Sequence, residues 1–366
     1  MNILIDIGHP AHVHLFRNLY KELTSRGHNV TVTVKDLQSA KQLLDLYKIP
    51  YLVVGRRGGS IASKALNQLY FNYKLLSLAF NKKIDLAIGS SITIAHISRL
   101  SRVRSIVFDD DDDDVQPLMT KYGHPFAHSL LSPSSLRGTR KKRGTIYYDG
   151  YHELAYLHPA RFTPDPDVLK ETGLEEGERF FIMRFNAFRA HHDIGVRGLS
   201  KENKINLATF LSSYGKVFIT TEGEVEQELL KYKLSVAPHK IHSLLAYATM
   251  LVGDSQTMTS EAAVLGTPAL RCNSFAGRIS YLEEQEKIYD LTYAFLPDNF
   301  DGLFAKINEL LSIHDLKKMW EGKRSKMLED KIDVTSFMLW FVENYPGSEK
   351  DFLNGRITSE RFKHTS

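Results

Sequence analysis

Residues 252–271 read VGDSQTMTSEAAVLGTPALR, and the order of residue types in this stretch decides the fold. A short apolar run ends at Gly253, a polar loop follows, and a helix of small residues then runs until Gly266-Thr267-Pro268 stops it. Strand, loop, helix, Gly-x-Pro and a further strand make half of a parallel α/β unit whose loop faces ligand. Backbone N–H groups that open such a helix have no partner inside it. Ser255, Gln256, Thr257 and Met258 are therefore placed to receive a phosphate. Glu261 falls in the first turns of the same helix. Three residues before it stands Met258, which cannot cap, so no capping box claims the carboxylate. Two readings stand, a carboxylate that accepts sugar hydroxyls or a solvated helix residue.

Outward from that stretch the chain keeps alternating strand and helix. Asn2–Ile7 reads as a buried parallel strand ending at Gly8, followed by the loop His9-Pro10-Ala11-His12. A helix then carries Val13, Phe16, Leu19, Tyr20 and Leu23 at spacings of three and four, and Asn29–Val34 is the next strand. Residues 51–54, 85–89, 105–108, 128–131 and Ile146–Tyr148 complete the strands of a first lobe. Pro159, Pro164 and Pro166 keep the following segment extended and mark a linker. Phe180–Phe185 opens a second lobe and carries Arg184. Loops at 186–195 (with Arg189, His191, His192 and Asp193) and 221–224 (with Glu222) follow strands, and His239 leads into another helix. The expected division is 1–160, 161–330, a late apolar helix at 331–345 and a patternless mobile tail at 346–366.

The phrases DIGHPAHVHLFRNL, DGYHELAYLHP, FNAFRAHHDIG and GDSQTMTSEAAVLGTP carry a resemblance. They are similar to a family of predicted glycosyltransferases of archaea and bacteria that is described as a domain of unknown function, over residues 1 to about 298. Stretch 252–271 also resembles the nucleotide-binding signature of GT-B glycosyltransferases and of non-hydrolysing UDP-N-acetylglucosamine 2-epimerases. Gln256-Thr257-Met258 stands where those proteins have a loop richer in glycine. The resemblance implies a GT-B-like α/β fold, with two Rossmann-like lobes facing a cleft and a C-terminal helix crossing back. It implies that Gly8, Arg184, Arg189, Ser255 and the residues after it hold the diphosphate of a nucleotide sugar. It further implies that Glu261 binds ribose hydroxyls and that His239 lies beside the base. His12 is similar in position to the Gly-His histidine of the peptidoglycan N-acetylglucosaminyltransferase, which makes it the first candidate base and His9 the second.

Composition bounds the alternatives. The 366 residues suit two domains, and 43% hydrophobic with 25% charged residues is ordinary for a globular chain. A net charge of +4 is too small for a nucleic-acid binder and fits an anionic small ligand. One cysteine, Cys272, excludes an internal disulfide and suits a reducing cytoplasm. The opening MNILIDIG lacks the basic region of a signal peptide. Lys64, Lys74, Lys82 and Lys83 interleave with Leu66, Leu69, Tyr70, Tyr73, Leu76 and Phe80. That composition suits a helix facing its own core, and also one lying on a membrane beside a lipid-linked acceptor.

Six aspartates, residues 109–114, follow the fifth strand. Such a run is commonly a solvated loop or a helix start, but its place makes Asp109 and Asp110 candidates for acceptor binding or base catalysis. No metal or other cofactor is expected. The donor is read as a UDP-sugar and the acceptor as a saccharide or lipid-linked sugar, in polysaccharide biosynthesis. An epimerase would use Asp109, Asp110, Glu222 and His192 around the sugar ring. A sugar-nucleotide-binding subunit without activity also stays open. His12-x-His14 after the first strand admits a metal-dependent amidohydrolase barrel, which the mid-chain prolines disfavour.

Overall fold

Short β-branched and apolar runs alternate with amphipathic helices throughout, and the result is two parallel sheets rather than one. The structure, a computed structural model, describes residues 1–55, 61–175, 177–186, 198–221, 223 and 225–363. The chain divides into two compact units. Unit 1 is Met1–Arg161 with Lys331–Ser366, and unit 2 is Phe162–Asp330.

Unit 1 holds β1 (Asn2–Ile7), β2 (Asn29–Val34), β3 (Leu52–Val53), β4 (Leu86–Gly89), β5 (Arg104–Phe108), β6 (Ser129–Pro133) and β7 (Ile146–Tyr148). They lie in the order β3-β2-β1-β4-β5-β6-β7, with every neighbouring pair parallel. Ile3, Leu4, Ile5, Ile88, Ile106, Val107, Leu130 and Leu131 are fully covered, as expected of strands with helices on both faces. From β1 the chain steps outward to β2 and β3, then returns to the other side of β1 with β4. Its order reverses between β1 and β4, and ligands of open α/β sheets bind at the carboxyl end of such a reversal.

Unit 2 holds β8 (Phe180–Phe185), β9 (Lys216–Thr221), β10 (Met250–Gly253), β11 (Ala269–Cys272) and β12 (Thr292–Phe295). Their order is β12-β11-β10-β8-β9, again all parallel. Here the reversal lies between β8 and β10, so stretch 252–271 begins on it.

After Lys331 the chain adds the helix Val334–Glu343 to unit 1, against the Pro10–Ser25 and Leu154–Leu157 helices. Thr335 Oγ1 donates to the Ala155 carbonyl at 2.6 Å. Arg161 draws the junction together, donating to Asp333 at 2.7 Å, Glu22 at 2.8 Å and Ser336 at 2.8 Å. The patternless tail is corrected here: Gly347–Leu353 is a helix and Ser359–Phe362 a 3₁₀ turn. Phe352 and Phe362 seat their rings 5.4 and 5.5 Å from that of Phe337. Two isolated aromatic anchors leave no periodic trace in a sequence, and tertiary packing orders what lies between them. No helix among the described residues is long and apolar enough to cross a membrane.

Candidate functional site

In unit 2 the loop after β10 is shaped by close approach. A side chain at Gly253 would place its Cβ 2.0 Å from the Arg184 carbonyl oxygen, so only glycine lets β10 pass β8 here. Asp254 then joins three strand ends. Its amide donates to the Arg184 carbonyl at 3.0 Å, its carboxylate accepts from Asn186 N–H at 2.6 Å, and its carbonyl accepts from Asn273 Nδ2 at 2.8 Å. Ser255 caps the Gln256–Leu265 helix by accepting from Met258 N–H at 3.3 Å. Gly266, at φ 78°, closes it in the left-handed conformation. Between residues 250 and 273 only Gln256 and Thr257 are not buried. The helix is sunk in the unit and presents its amino-terminal turn, where its dipole is positive.

Glu261 differs from the open carboxylate expected for it. It lies in the second turn, 4% exposed, with Oε1 2.9 Å from Nε2 of the buried His242. A helix of small residues packs closely on both sides, which draws Glu261 into the interior and towards its neighbour. His242 belongs to the Ile241–Tyr247 helix, which runs back to the start of β10; its first turn, and the Pro238–Lys240 turn holding the half-buried His239, therefore lie at the carboxyl end of the sheet. Arg184, near the end of β8, donates from Nη1 to Thr220 Oγ1 at 3.1 Å. Arg184, His239, Ser255–Met258 and Glu261 thus gather at one end of unit 2. Arg189, His191, His192, Asp193 and Glu222 lie outside the described residues.

In unit 1, Gly8 and His9 follow β1 at the chain reversal. His9 is exposed and caps the Pro10–Ser25 helix, its Nδ1 accepting from Ala11 N–H at 3.3 Å. His12 Nδ1 accepts from Gly8 N–H at 3.2 Å. A neutral imidazole that accepts at Nδ1 carries its proton on Nε2, so His12 offers a donor there rather than the lone pair of a base. His14 and Arg17 are structural: Arg17 hydrogen-bonds Tyr47 and the Tyr156 carbonyl, and His14 stacks on Tyr156 with ring centres 5.3 Å apart.

The aspartate run is partly drawn inward: Asp109, Asp112 and Asp113 are buried, Asp110 and Asp111 half-buried, and Asp114 exposed. Asp109 is 5% exposed, and both its oxygens are engaged. One accepts from Gln116 and from Asp111 N–H, and the other lies 2.5 Å from His124 Nε2 and 3.3 Å from Arg140 Nη1. Burial alone would raise its pKa, but His124, Arg140 and Gln116 hold it below the ordinary value. Arg140 also binds Asp113, whose other oxygen accepts from Lys141 N–H at 2.8 Å. Asp109 is a bracket between β5 and the 3₁₀ turn of His124, which corrects its expected place as an acceptor-binding or basic group.

Asp110 keeps a chemical possibility. Its Oδ2 lies 3.0 Å from Nδ1 of His152, just after β7. A carboxylate on Nδ1–H puts the lone pair of a neutral ring on Nε2, as in an oriented acid–base imidazole, and here that Nε2 is buried with no hydrogen-bond partner among the described residues. Burial opposes the charge on His152, yet Asp110, Glu153 and Asp109 together raise its pKa. Burial beside Asp110 and Asp109 also pushes Asp111 up to about 8. The ligand oxygens of Asp109, Asp110 and Asp111 lie within 4.8 Å of one another, but Arg140 already neutralises Asp109. The local sequence around His124, Arg140 and His242 carries no signal of a site. DGYHELAYLHP contains His152, and that phrase was its one available signal.

Comparison with known proteins follows this geometry. An uncharacterized protein of Methanocaldococcus jannaschii is 22% identical over 309 residues, covering 79% of this chain and 87% of that protein. The structure is similar to UDP-GlcNAc 2-epimerase from Neisseria meningitidis bound to UDP-GlcNAc, with a TM-score of 0.58 at 13% identity over 87% of this chain and 94% of that one. It is also similar to glycosyltransferase VinC in complex with dTDP, at a TM-score of 0.60 and 12% identity over 96% and 100%. The shared architecture is the GT-B-like pair of Rossmann-like domains, each a parallel sheet between helices. A family model described as "Protein of unknown function (DUF354)" matches residues 1–292, and the chain belongs to that family.

Proposed function

We propose that this protein is a glycosyltransferase that moves a sugar from a nucleotide-diphosphate donor, a UDP-sugar, to a saccharide or lipid-linked acceptor in surface polysaccharide synthesis. One observation carries the reading: the buried Gln256–Leu265 helix opens at the chain reversal of unit 2 and meets solvent only at Gln256 and Thr257. The amides there and the Arg184 guanidinium supply positive charge where a leaving diphosphate gains negative charge. Similar structures that hold UDP-GlcNAc or dTDP support a nucleotide sugar as the ligand. Chemistry of this kind does not call for a metal ion, so turnover is expected to persist in excess EDTA. A metal-reversible loss would move the reaction to Asp109–Asp111.

The acceptor is assigned to unit 1. His12 Nε2 donates to an oxygen of the acceptor, and the Asp110–His152 pair takes the proton of the acceptor hydroxyl. A second reading, epimerisation at sugar C2, is favoured by that same pair beside the proton-holding Asp111, an acid and a base together. Incubation with UDP-N-acetylglucosamine in deuterated water separates them. A transferase without acceptor leaves C2 undeuterated by NMR, and calorimetry on the same sample registers nucleotide binding. Deuterium at C2 would establish the epimerase. Binding without transfer to any saccharide or lipid-linked acceptor leaves a binding subunit.

A further inference from the structure

The helix Ile61–Asn81 is apolar on two opposite faces. Its inner face packs Phe71, Leu75 and Ala79, at 5%, 0% and 3% exposure, into the core of unit 1, and Gln68 and Asn72 bond Thr93 and His96. The outer face carries Leu66, Leu69, Tyr70, Tyr73 and Phe80 at 68%, 66%, 46%, 67% and 64% exposure. These positions recur every three, four or seven residues, so they form one stripe about 21 Å long at the rise of an α-helix. Scattered exposed apolar residues are ordinary, but a contiguous aromatic stripe marks a contact surface.

Charge identifies what covers it. Between Val54 and Ile84 the sequence has no Asp or Glu and six basic residues, Arg56, Arg57, Lys64, Lys74, Lys82 and Lys83. Lys74 lies along the stripe with Nζ 5.4 Å from the Tyr70 ring centre, and Lys82 and Lys83 are exposed at its end. A second copy would bring like charges together, and lysine is depleted from the centres of protein interfaces. Aromatic and leucine side chains edged by lysines match the boundary between lipid headgroups and acyl chains. No described helix is long and apolar enough to cross a bilayer, so contact of this one with lipid would be in the interface plane.

We propose that the outer face of the Ile61–Asn81 helix docks unit 1 on a bilayer bearing anionic phospholipid headgroups. The proposal rests on this surface alone and stands or falls apart from the reaction. It is tested by co-sedimentation with vesicles of phosphatidylcholine alone and of phosphatidylcholine mixed with phosphatidylglycerol. The full chain is expected to bind the anionic vesicles at least about tenfold more tightly, with affinity falling as salt rises. Leu69→Glu with Tyr73→Glu, at two exposed sites, is expected to reduce binding by about tenfold or more while leaving the melting temperature in place. Lys82→Glu with Lys83→Glu is expected to remove the preference for the anionic lipid. Equal binding to both vesicles, no binding to either, or indifference to the Leu69 and Tyr73 changes overturns the proposal. Lipid-independent self-association abolished by the same double change also overturns it and assigns the stripe to a second copy.

Discussion

The carboxyl ends of the two sheets solve different problems. In unit 2 the loop after β10 is built from glycine, hydroxyl and amide side chains, and its charged members Asp254 and Glu261 are turned inward. What reaches solvent is a positive helix end. Unit 1 concentrates acid instead: Asp6 is held by Thr33 at 2.8 Å and Ser91 at 2.6 Å, and Asp109, Asp110 and Asp113 are held by Arg140, His124 and His152. The first arrangement suits an anion. The second is an acidic cluster balanced by its own buried arginine and histidines. Under the proposed transfer, unit 2 would take the donor and unit 1 the acceptor.

The largest expected effect breaks the acceptor side while sparing the donor side. His12→Ala should reduce transfer by roughly 10²–10⁴-fold and leave calorimetric nucleotide affinity nearly unchanged, as for loss of a group acting on a proton or developing charge. A matching loss of affinity would put His12 on the nucleotide. Next, Arg140→Met leaves Asp109 and Asp113 without their buried cation and should destabilise unit 1 by about 3–5 kcal/mol. Denaturant unfolding measures this, and an unchanged midpoint would mean that the cluster is not a structural bracket.

In unit 2, Glu261→Ala removes the carboxylate that His242 Nε2 meets at 2.9 Å. A nucleotide-binding Glu261 predicts roughly 1–3 kcal/mol less affinity, the scale of hydrogen bonds to a charged group. Lower stability with unchanged affinity would make the pair purely structural. Glu261→Gln keeps one hydrogen bond and should show a smaller change of the same kind.

The last effect concerns pH. Asp111 holds its proton up to about 8 when folded, against 3.8 for an ordinary aspartate, so the folded state binds the extra proton between those values. Its contribution to stability is therefore complete below about 4 and is lost as pH rises towards 8. Asp111→Asn should flatten that part of the stability profile, with the greatest gain over wild type at the alkaline end. Parallel profiles for both proteins would show that Asp111 does not hold its proton this way.

Most of the architecture was legible because strand and helix periods are local. Residues 85–89, 105–108 and 128–131, read as strands, fall within a residue or two of β4, β5 and β6. Two elements of unit 2 left weaker signals. β12, Thr292–Phe295, is a four-residue edge strand with one buried position, and the Leu316–Asp330 helix buries only Leu316, Trp320 and Met327 among charged residues. Side-chain pairing was less legible still. Glu261 meets His242 nineteen residues away, Arg140 meets Asp109 thirty-one away, and His152 meets Asp110 forty-two away, separations that no spacing rule encodes. The poly-aspartate run shows the same limit. Each carboxylate looks alike in sequence, and burial makes one a bracket, one an orienting group and one a proton holder.

The clasp of Arg161 on Asp333 and Ser336 also bears on the order in which the protein is made. The chain leaves unit 1 at Arg161 and rejoins it at Lys331, so unit 2 is an excursion that begins and ends at neighbouring points. On the ribosome all seven strands of unit 1 emerge first, yet the Val334–Glu343 helix that covers the Pro10–Ser25 helix emerges only after the whole of unit 2. Unit 2, continuous in sequence, has every one of its contacts available before that happens. Although translated second, it is the part equipped to finish first, while unit 1 waits with an apolar face uncovered until that helix is released.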